Sequence, residues 1–143
     1  MDATRSISVS RLIPAPASRI FDLLANPREH VKLDGSGSVM GVKKAPERLY
    51  LGAKFSMQMK MGVGYSTNNK VVAFDEGRTI AWHHVARFVW RYDLQEVEGG
   101  TLVTESFNYD KPWAFTIITT GFPEKNRAAM TATLERLDKA VTS

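Results

Sequence analysis

Between residues 38 and 109, apolar and polar side chains alternate along the chain in short segments. This period of two is typical of β-strands with one buried face. The strand candidates lie at 38–44, 53–61, 65–74, 78–85, 88–97 and 101–109. Several are separated by short turns that contain glycine, such as Asp75-Glu76-Gly77 and Glu98-Gly99-Gly100. Because a parallel crossover needs a longer connection, these turns predict antiparallel neighbours.

Three segments outside this region complete the pattern. The residues from Ser6 to Ile13 alternate and predict a first strand, which Pro14 and Pro16 end. Apolar residues then recur at helical spacing over 17–24, and 27–33 predicts a short second helix. After Pro123, one face of a long helix carries Asn126, Met130, Leu134, Leu137 and Val141.

This order of elements predicts an α+β fold in a single domain that spans residues 1–143. Seven antiparallel strands would form one sheet, and the long C-terminal helix would cover one of its faces. A sheet of this width twists and curls. Curling around a single helix leaves a space between helix and sheet, which large side chains or a ligand can fill.

The composition excludes several kinds of chemistry. The chain has no cysteine, so it holds no disulfide, no thiolate metal site and no cysteine nucleophile. With three His and no H-E-x-x-H motif, we predict no metal site. Gly35-Ser36-Gly37 and Gly62-Val63-Gly64 resemble the start of a dinucleotide-binding loop, but neither continues as G-x-G-x-x-G. We therefore also predict no cofactor.

The formal net charge of +4 raises the question of a nucleic-acid partner. The basic residues are scattered from Arg5 to Lys139 with no run of like charges, so we predict none. The first residues have no signal-peptide pattern, and no apolar run approaches the roughly 20 residues that cross a bilayer. We therefore expect a cytoplasmic protein without stable membrane insertion, and the sequence leaves a homodimer open.

Several sequence segments together resemble a known superfamily. In chain order these are the opening strand with PAPASRIFDLLANP, the run His30–Gly37, FSMQM, Ala81-Trp82, WRYDL, EGGTLVTESF and FPEKNRAAMTATLERL. The ordered set resembles the START-like (SRPBCC) superfamily, in particular its polyketide cyclase/dehydrase and lipid-transport branch. The resemblance implies a helix-grip fold with a deep apolar cavity. It also implies a lipid, sterol, polyketide or other hydrophobic ligand, while a minority of members are enzymes.

Strand parity indicates which side chains face such a cavity. Met side chains suit surfaces that accept varied ligands. For each Met on the predicted wall, the alternative is packing in an ordinary core. Trp113, with Phe115, lies in the connection before the last helix and is a candidate lid. The predicted ligand-binding residues are Phe55, Met57, Met59, Tyr65, Asn69, Trp82, His84, Trp90, Tyr92, Glu105, Phe107, Trp113 and Met130.

Glu105 is the most informative of them, because it shares a face with Val103 and Phe107. An unpaired carboxylate on a buried face costs several kcal/mol or becomes protonated. Three explanations stay open: an ion pair with Arg, Lys or His, a role in ligand binding or acid–base chemistry, and a bulge that turns the side chain outward.

Three functions follow as hypotheses. The first is binding or transport of a small hydrophobic molecule, and it fits an apolar wall with a few polar groups. The second is a cyclase, aromatase or dehydrase that uses Glu105 and His84 as acid and base, with Tyr92 as a further candidate. The third is a protein-interaction module without a ligand, which predicts a filled interior.

Overall fold

The computed structural model of the protein describes residues 5–84, 87–114 and 121–143. It contains seven strands and three α-helices in these ranges, and a 3-10 turn at Pro27–Glu29 leads into the second helix. In chain order the elements are β1 (Ser6–Ile13), α1 (Ala17–Leu24), α2 (His30–Leu33), β2 (Val39–Lys44), β3 (Lys54–Met61), β4 (Val63–Asp75), β5 (Thr79–His83), β6 (Val89–Val97), β7 (Gly100–Asn108) and α3 (Phe122–Thr142).

The seven strands form one antiparallel sheet in the order β1-β7-β6-β5-β4-β3-β2. The predicted seven-stranded sheet and the long C-terminal helix are therefore confirmed. Strands β2 to β7 are neighbours in the sheet in the same order as in the chain. The chain crosses from β1 to β2 through α1 and α2, so these two strands lie at opposite edges of the sheet.

Alternation along the strands assigns one face of the sheet to the interior. In β7, the side chains of Thr101, Val103, Glu105 and Phe107 are all buried. The register of β7 is continuous with β1 on one side and with β6 on the other. No bulge therefore turns Glu105 outward, and this explanation of the buried carboxyl group is wrong.

The C-terminal half of α3 packs against the main hydrophobic core. Leu134, Leu137 and Val141 are buried in one cluster with Ile13 and Phe21. These five residues come from α3, β1 and α1. The apolar stripe that predicted the helix therefore faces the core over its last two turns, as an amphipathic helix requires.

A close contact fixes the segment after α2 against α3. The backbone N–H of Gly35 donates a hydrogen bond of 2.8 Å to Oγ1 of Thr133, and Arg136 Nη1 donates one of 2.6 Å to the carbonyl oxygen of Asp34. A Cβ at position 35 would lie 2.6 Å from the Cβ of Ala132. Glycine is therefore required here for close approach, and it brings Asp34 next to the helix.

None of the helices in the described ranges is long and apolar enough to cross a membrane. Residues 115–120 lie outside the described part of the chain, and the predicted lid residue Phe115 is among them.

Candidate functional site

A cavity of about 390 Å³ lies between the inner face of the sheet and the N-terminal half of α3. Strands β3 to β7, the segment from His30 to Val39 and α3 all contribute to its wall. Twelve of the thirteen predicted ligand-binding residues line it, namely Phe55, Met57, Met59, Tyr65, Asn69, Trp82, His84, Trp90, Tyr92, Glu105, Phe107 and Met130.

Trp113 is the predicted residue that the structure places elsewhere. Its side chain is 41% exposed and does not line the cavity. A tight turn accounts for this position, since the N–H of Ala114 donates a hydrogen bond of 2.9 Å to the carbonyl oxygen of Lys111. The turn buries Ala114 instead and leaves Trp113 on the surface.

Stacked aromatic rings form one side of the cavity. The imidazole of His30 stacks on the indole of Trp82 with the ring centroids 5.0 Å apart. Phe55 meets that indole edge-on at 5.8 Å, and the ring of Tyr92 lies 5.8 Å away on the neighbouring strand. Such contacts stabilise ring positions beyond simple area burial. The wall therefore presents rigid, flat apolar surfaces to anything inside.

Glu105 lies in the middle of this wall and is 3% exposed. Its cross-strand neighbour on β6 is Tyr92, whose hydroxyl lies near enough to the carboxyl group to affect its pKa. The pKa of the Glu105 carboxyl group is raised to about 8, mainly by burial; the Tyr92 hydroxyl lowers it and the charge of Asp34 adds a smaller rise. Among the described residues no ion pair joins Glu105 to Arg, Lys or His, so that explanation of the buried carboxyl group is wrong; a tyrosine lies opposite it instead.

The Oε1 atom of Glu105 has no hydrogen-bond partner among the described residues. The pKa of Tyr92 is raised well above its ordinary value, first by burial and then by the charge of Glu105. Both groups are consequently neutral near pH 7. A neutral carboxyl group can donate one hydrogen bond as well as accept others, so Glu105 can act as a donor or as an acid.

His84 lines the cavity, as the strand parity of β5 predicted, but it stands apart from Glu105. Burial lowers the pKa of the His84 imidazole, and the neighbouring His83 lowers it further. The ring of His84 meets Phe88 edge-on at 6.2 Å. In the described part of the chain no hydrogen bond or ion pair joins His84 to Glu105, so the two do not form a direct acid–base pair.

The helix side of the cavity adds a second unsatisfied polar group. Asn126 on α3 is 5% exposed, and its Nδ2 atom has no hydrogen-bond partner among the described residues. Further along the same face lie Met130 and Thr133. The Oγ1 of Thr133 is already occupied, because it accepts from Gly35 and donates to the carbonyl oxygen of Ala129.

The exposed members of the wall indicate where the cavity opens. Tyr65 on β4 is 41% exposed while it lines the cavity, and Ser36 is exposed as well. Asp34 beside it accepts hydrogen bonds from the Ser36 side chain and from the backbone N–H of Val39. The opening therefore lies between β4 and the segment that follows α2.

Sequence reasoning missed several wall residues. Asn126 carried a signal, because it is a polar residue on the apolar face of an amphipathic helix, as Glu105 is on a strand. His30 and Asp34 carried none, since they lie in a short helix and the turn after it, where no period assigns a face. The 2.8 Å contact of His30 Nε2 with the carbonyl oxygen of Leu24 is what turns this ring inward. Burial in turn lowers the pKa of His30.

Within the described ranges, no three His, Asp or Glu side chains converge on a point that could hold a metal ion. The polar groups on the wall are hydrogen-bonding side chains. They are two carboxyl groups, two amides, the hydroxyls of serine, threonine and tyrosine side chains, and two imidazoles.

Comparison with known proteins places this fold and cavity in a family. A family model described as polyketide cyclase / dehydrase and lipid transport matches residues 4–142. The uncharacterized protein Rv0088 of Mycobacterium tuberculosis (H37Rv) is 36% identical over 138 residues, which are 92% of this chain and 62% of that protein. The chain thus spans less than two thirds of the length of this relative.

Solved structures share the fold at low sequence identity. The KanY protein superposes with a TM-score of 0.79 at 14% identity, covering 99% of this chain and 100% of that one. Protein Ms6760 from Mycobacterium smegmatis gives 0.74 at 20% identity, covering 97% and 92%. The AHSA1-like protein from Aeromonas hydrophila gives 0.72 at 15%, covering 95% and 91%. At these identities the likeness shows the fold alone.

Proposed function

Because the chain belongs to the polyketide cyclase/dehydrase and lipid-transport family, we propose that it binds a small hydrophobic molecule in the cavity between the sheet and α3. The observation that carries this proposal is a volume of about 390 Å³ that side chains leave open behind an aromatic wall. Ligand sites commonly measure from about 300 to 1,000 Å³ and are mostly apolar with a few placed polar groups.

The nature of the wall favours ligands with rings or short branched chains. The indoles of Trp82 and Trp90 and the ring of Phe107 offer flat surfaces, while Met57 and Met59 adapt their shape to what lies against them. The volume argues against an interaction module without a ligand, since such a module predicts a filled interior. A lipid, a polyketide and an aromatic compound are all ligands that fit this proposal.

Filling the cavity from the helix side tests the proposal. Ala129 lines the cavity, whereas its neighbour Ala128 is exposed on the outer side of α3. We expect Ala129→Phe to abolish binding of a fluorescent apolar dye, which neutral aromatic compounds displace from the wild-type protein. Ala128→Phe adds the same side chain at the surface and is the matched control.

The measurement is dye displacement together with native mass spectrometry of the purified protein. Circular dichroism shows whether both variants remain folded. This control is needed because overpacking costs about 1–3 kcal/mol. Equal dye binding by wild type and both variants would contradict the proposal. So would the absence of any bound apolar molecule or dye in the wild type.

A second candidate is an enzyme of the cyclase, aromatase or dehydrase type. The observation that favours it is Glu105, whose pKa of about 8 suits an acid that works near neutral pH and whose Oε1 has no partner in the described ranges. Tyr92, which lies opposite it on β6, would assist, and His84 would act without a direct bond to Glu105. Glu105→Gln should then abolish turnover of a poly-β-keto substrate and leave the fold intact, whereas unchanged turnover would remove Glu105 from the mechanism.

A further inference from the structure

Two buried polar atoms on opposite walls of the cavity lack partners among the described residues. One is Oε1 of Glu105 on the sheet, and the other is Nδ2 of Asn126 on the helix. Both residues line the same cavity and are more than nine-tenths buried. A buried polar group without a partner costs roughly 1–3 kcal/mol. A ligand that supplies the missing partners would recover this free energy.

The charges on the wall exclude one common class of apolar ligand. Of the described residues that line the cavity, none is Lys or Arg, while two carry carboxyl groups, Asp34 and Glu105. Burial lowers the pKa of both imidazoles on the wall, those of His30 and His84, so neither is a cation near neutral pH. The carboxylate of a fatty acid or a phosphate group would therefore lose its water and gain no counter-charge.

The donor pattern discriminates between the two remaining classes, cations and neutral molecules. The Nδ2 atom of Asn126 can only donate, so it repels an ammonium group, which also has only N–H bonds. A protonated Glu105 has an O–H to donate, and its raised pKa favours this protonated form. The two unpartnered atoms thus both suit an oxygen that accepts hydrogen bonds.

We propose that the cavity selects neutral apolar molecules that carry a carbonyl-type oxygen, which accepts hydrogen bonds from the Glu105 carboxyl group and the Asn126 amide. This inference rests on the proposed function, because it names the chemical class of the ligand in the same cavity. It assigns Asn126 a role in binding that parity along the strands could not suggest.

The selection depends on pH through Glu105. The titratable groups around it are Tyr92 on β6, Asp34 after α2, and the His30 and His84 imidazoles on the same wall. Of these, Tyr92 and Asp34 act on the pKa of the carboxyl group. Above its pKa of about 8, Glu105 loses the proton that it donates and its charge repels a carbonyl oxygen. The affinity for a ketone should therefore fall at high pH while the affinity for a hydrocarbon of the same shape stays constant.

Four probes with one ring system test the inference by titration calorimetry at roughly pH 6, below the pKa of Glu105. Acetonaphthone carries the ketone, ethylnaphthalene has the same shape without the oxygen, naphthoic acid carries a carboxylate, and naphthylmethylamine is a cation. We expect acetonaphthone to bind about tenfold more tightly than ethylnaphthalene, the size of effect that one or two hydrogen bonds provide. The acid and the amine should bind more weakly than the ketone.

Two variants locate the effect. Asn126→Leu should remove most of the preference for acetonaphthone and leave the binding of ethylnaphthalene unchanged. Glu105→Gln keeps an N–H donor at every pH, so it should retain the preference but lose its decline above about pH 8. The second variant keeps the test decisive if the first does not fold.

The outcomes separate this inference from the proposed function. Equal affinity for acetonaphthone and ethylnaphthalene would overturn the inference alone, because the cavity would still bind apolar molecules. Tightest binding of the amine would also overturn it, because Glu105 would then act as a carboxylate. Tightest binding of the acid would overturn it as well, because a cation would then have to be present in the cavity. If none of the four probes binds, and wild type and Ala129→Phe bind no dye, the proposed function itself fails.

Discussion

The two halves of α3 present similar apolar faces to the sheet but meet different surroundings. Toward the C-terminus, Leu134, Leu137 and Val141 are buried in the main core. Toward the N-terminus, Asn126 and Met130 line a cavity. The helical period is the same in both halves, so the difference arises from what lies opposite. Side chains of α1 and β1 fill the space at one end, and the aromatic wall leaves it open at the other.

Truncation of one residue in each half gives the largest expected contrast. Leu137→Ala should lower the free energy of unfolding by about 3 kcal/mol, because it opens a void in close-packed core. Met130 is also fully buried, in a smaller cluster with Ile7 and Phe107 that borders the cavity. Met130→Ala should cost less, because side chains beside an open cavity relax more easily around a truncation. Urea denaturation of both variants measures the contrast. An equal or larger cost for Met130→Ala would mean that the two ends are packed alike.

The boundary between the two ends depends on Gly35. Gly35→Ala should destabilise the protein by about 2 kcal/mol, since the added Cβ would overlap with Ala132 and force the segment away from the helix. Gly64→Ala is the control, because a Cβ there meets nothing closer than 3.9 Å. Thermal unfolding of both variants compares them. If Gly35→Ala were as stable as Gly64→Ala, the segment after α2 would not be held tightly against α3.

The cavity end also holds a buried acid, which makes its stability depend on pH. The pKa of Glu105 rises from 4.5 to about 8 on folding, so in this window the folded protein keeps a proton that the unfolded chain has released. The contribution of Glu105 is therefore fully present below the lower value and is lost as the pH rises, by up to about 1.4 kcal/mol per pH unit.

Comparison of wild type with Glu105→Gln isolates this contribution, because both proteins keep His30 and His84, whose lowered pKa values favour the neutral forms. The variant should gain stability relative to wild type as the pH rises toward about 8 and show no such gain near pH 4.5. Chemical denaturation at several pH values provides the measurement. A constant difference across the window would show that Glu105 is ionised in the folded protein.

Much of this architecture could be predicted, because local patterns follow from burial of one face. Alternation along β3 and β7 assigned Phe55, Met57 and Phe107 to the interior, and the structure has them buried there. Short turns predicted the antiparallel order of β2 to β7. The prediction for Trp113 depended on a connection with no period, and there the side chain lies on the surface.

The cavity wall was harder to predict, since it brings together residues that no local pattern links. The stack of His30 on Trp82 joins a short helix to a distant strand. The partner of Glu105 was open between several residue types until the register of β6 and β7 placed Tyr92 directly opposite. Only the pairing of strands decides such neighbours, because a shift by one residue would turn every side chain to the other face.

The amino-acid sequence by itself determined the elements, their order, the absence of cysteine chemistry and the presence of a carboxyl group on a buried face. Periodicity and composition are local properties of the chain, so they can be analysed without knowing which distant segments are in contact. The tertiary structure alone decided that the space beneath α3 stays partly open, and that Glu105 and Asn126 both line it with atoms that have no partner among the described residues. Whether side chains fill a volume depends on how distant segments approach, and the close contact of Gly35 with the helix sets that approach.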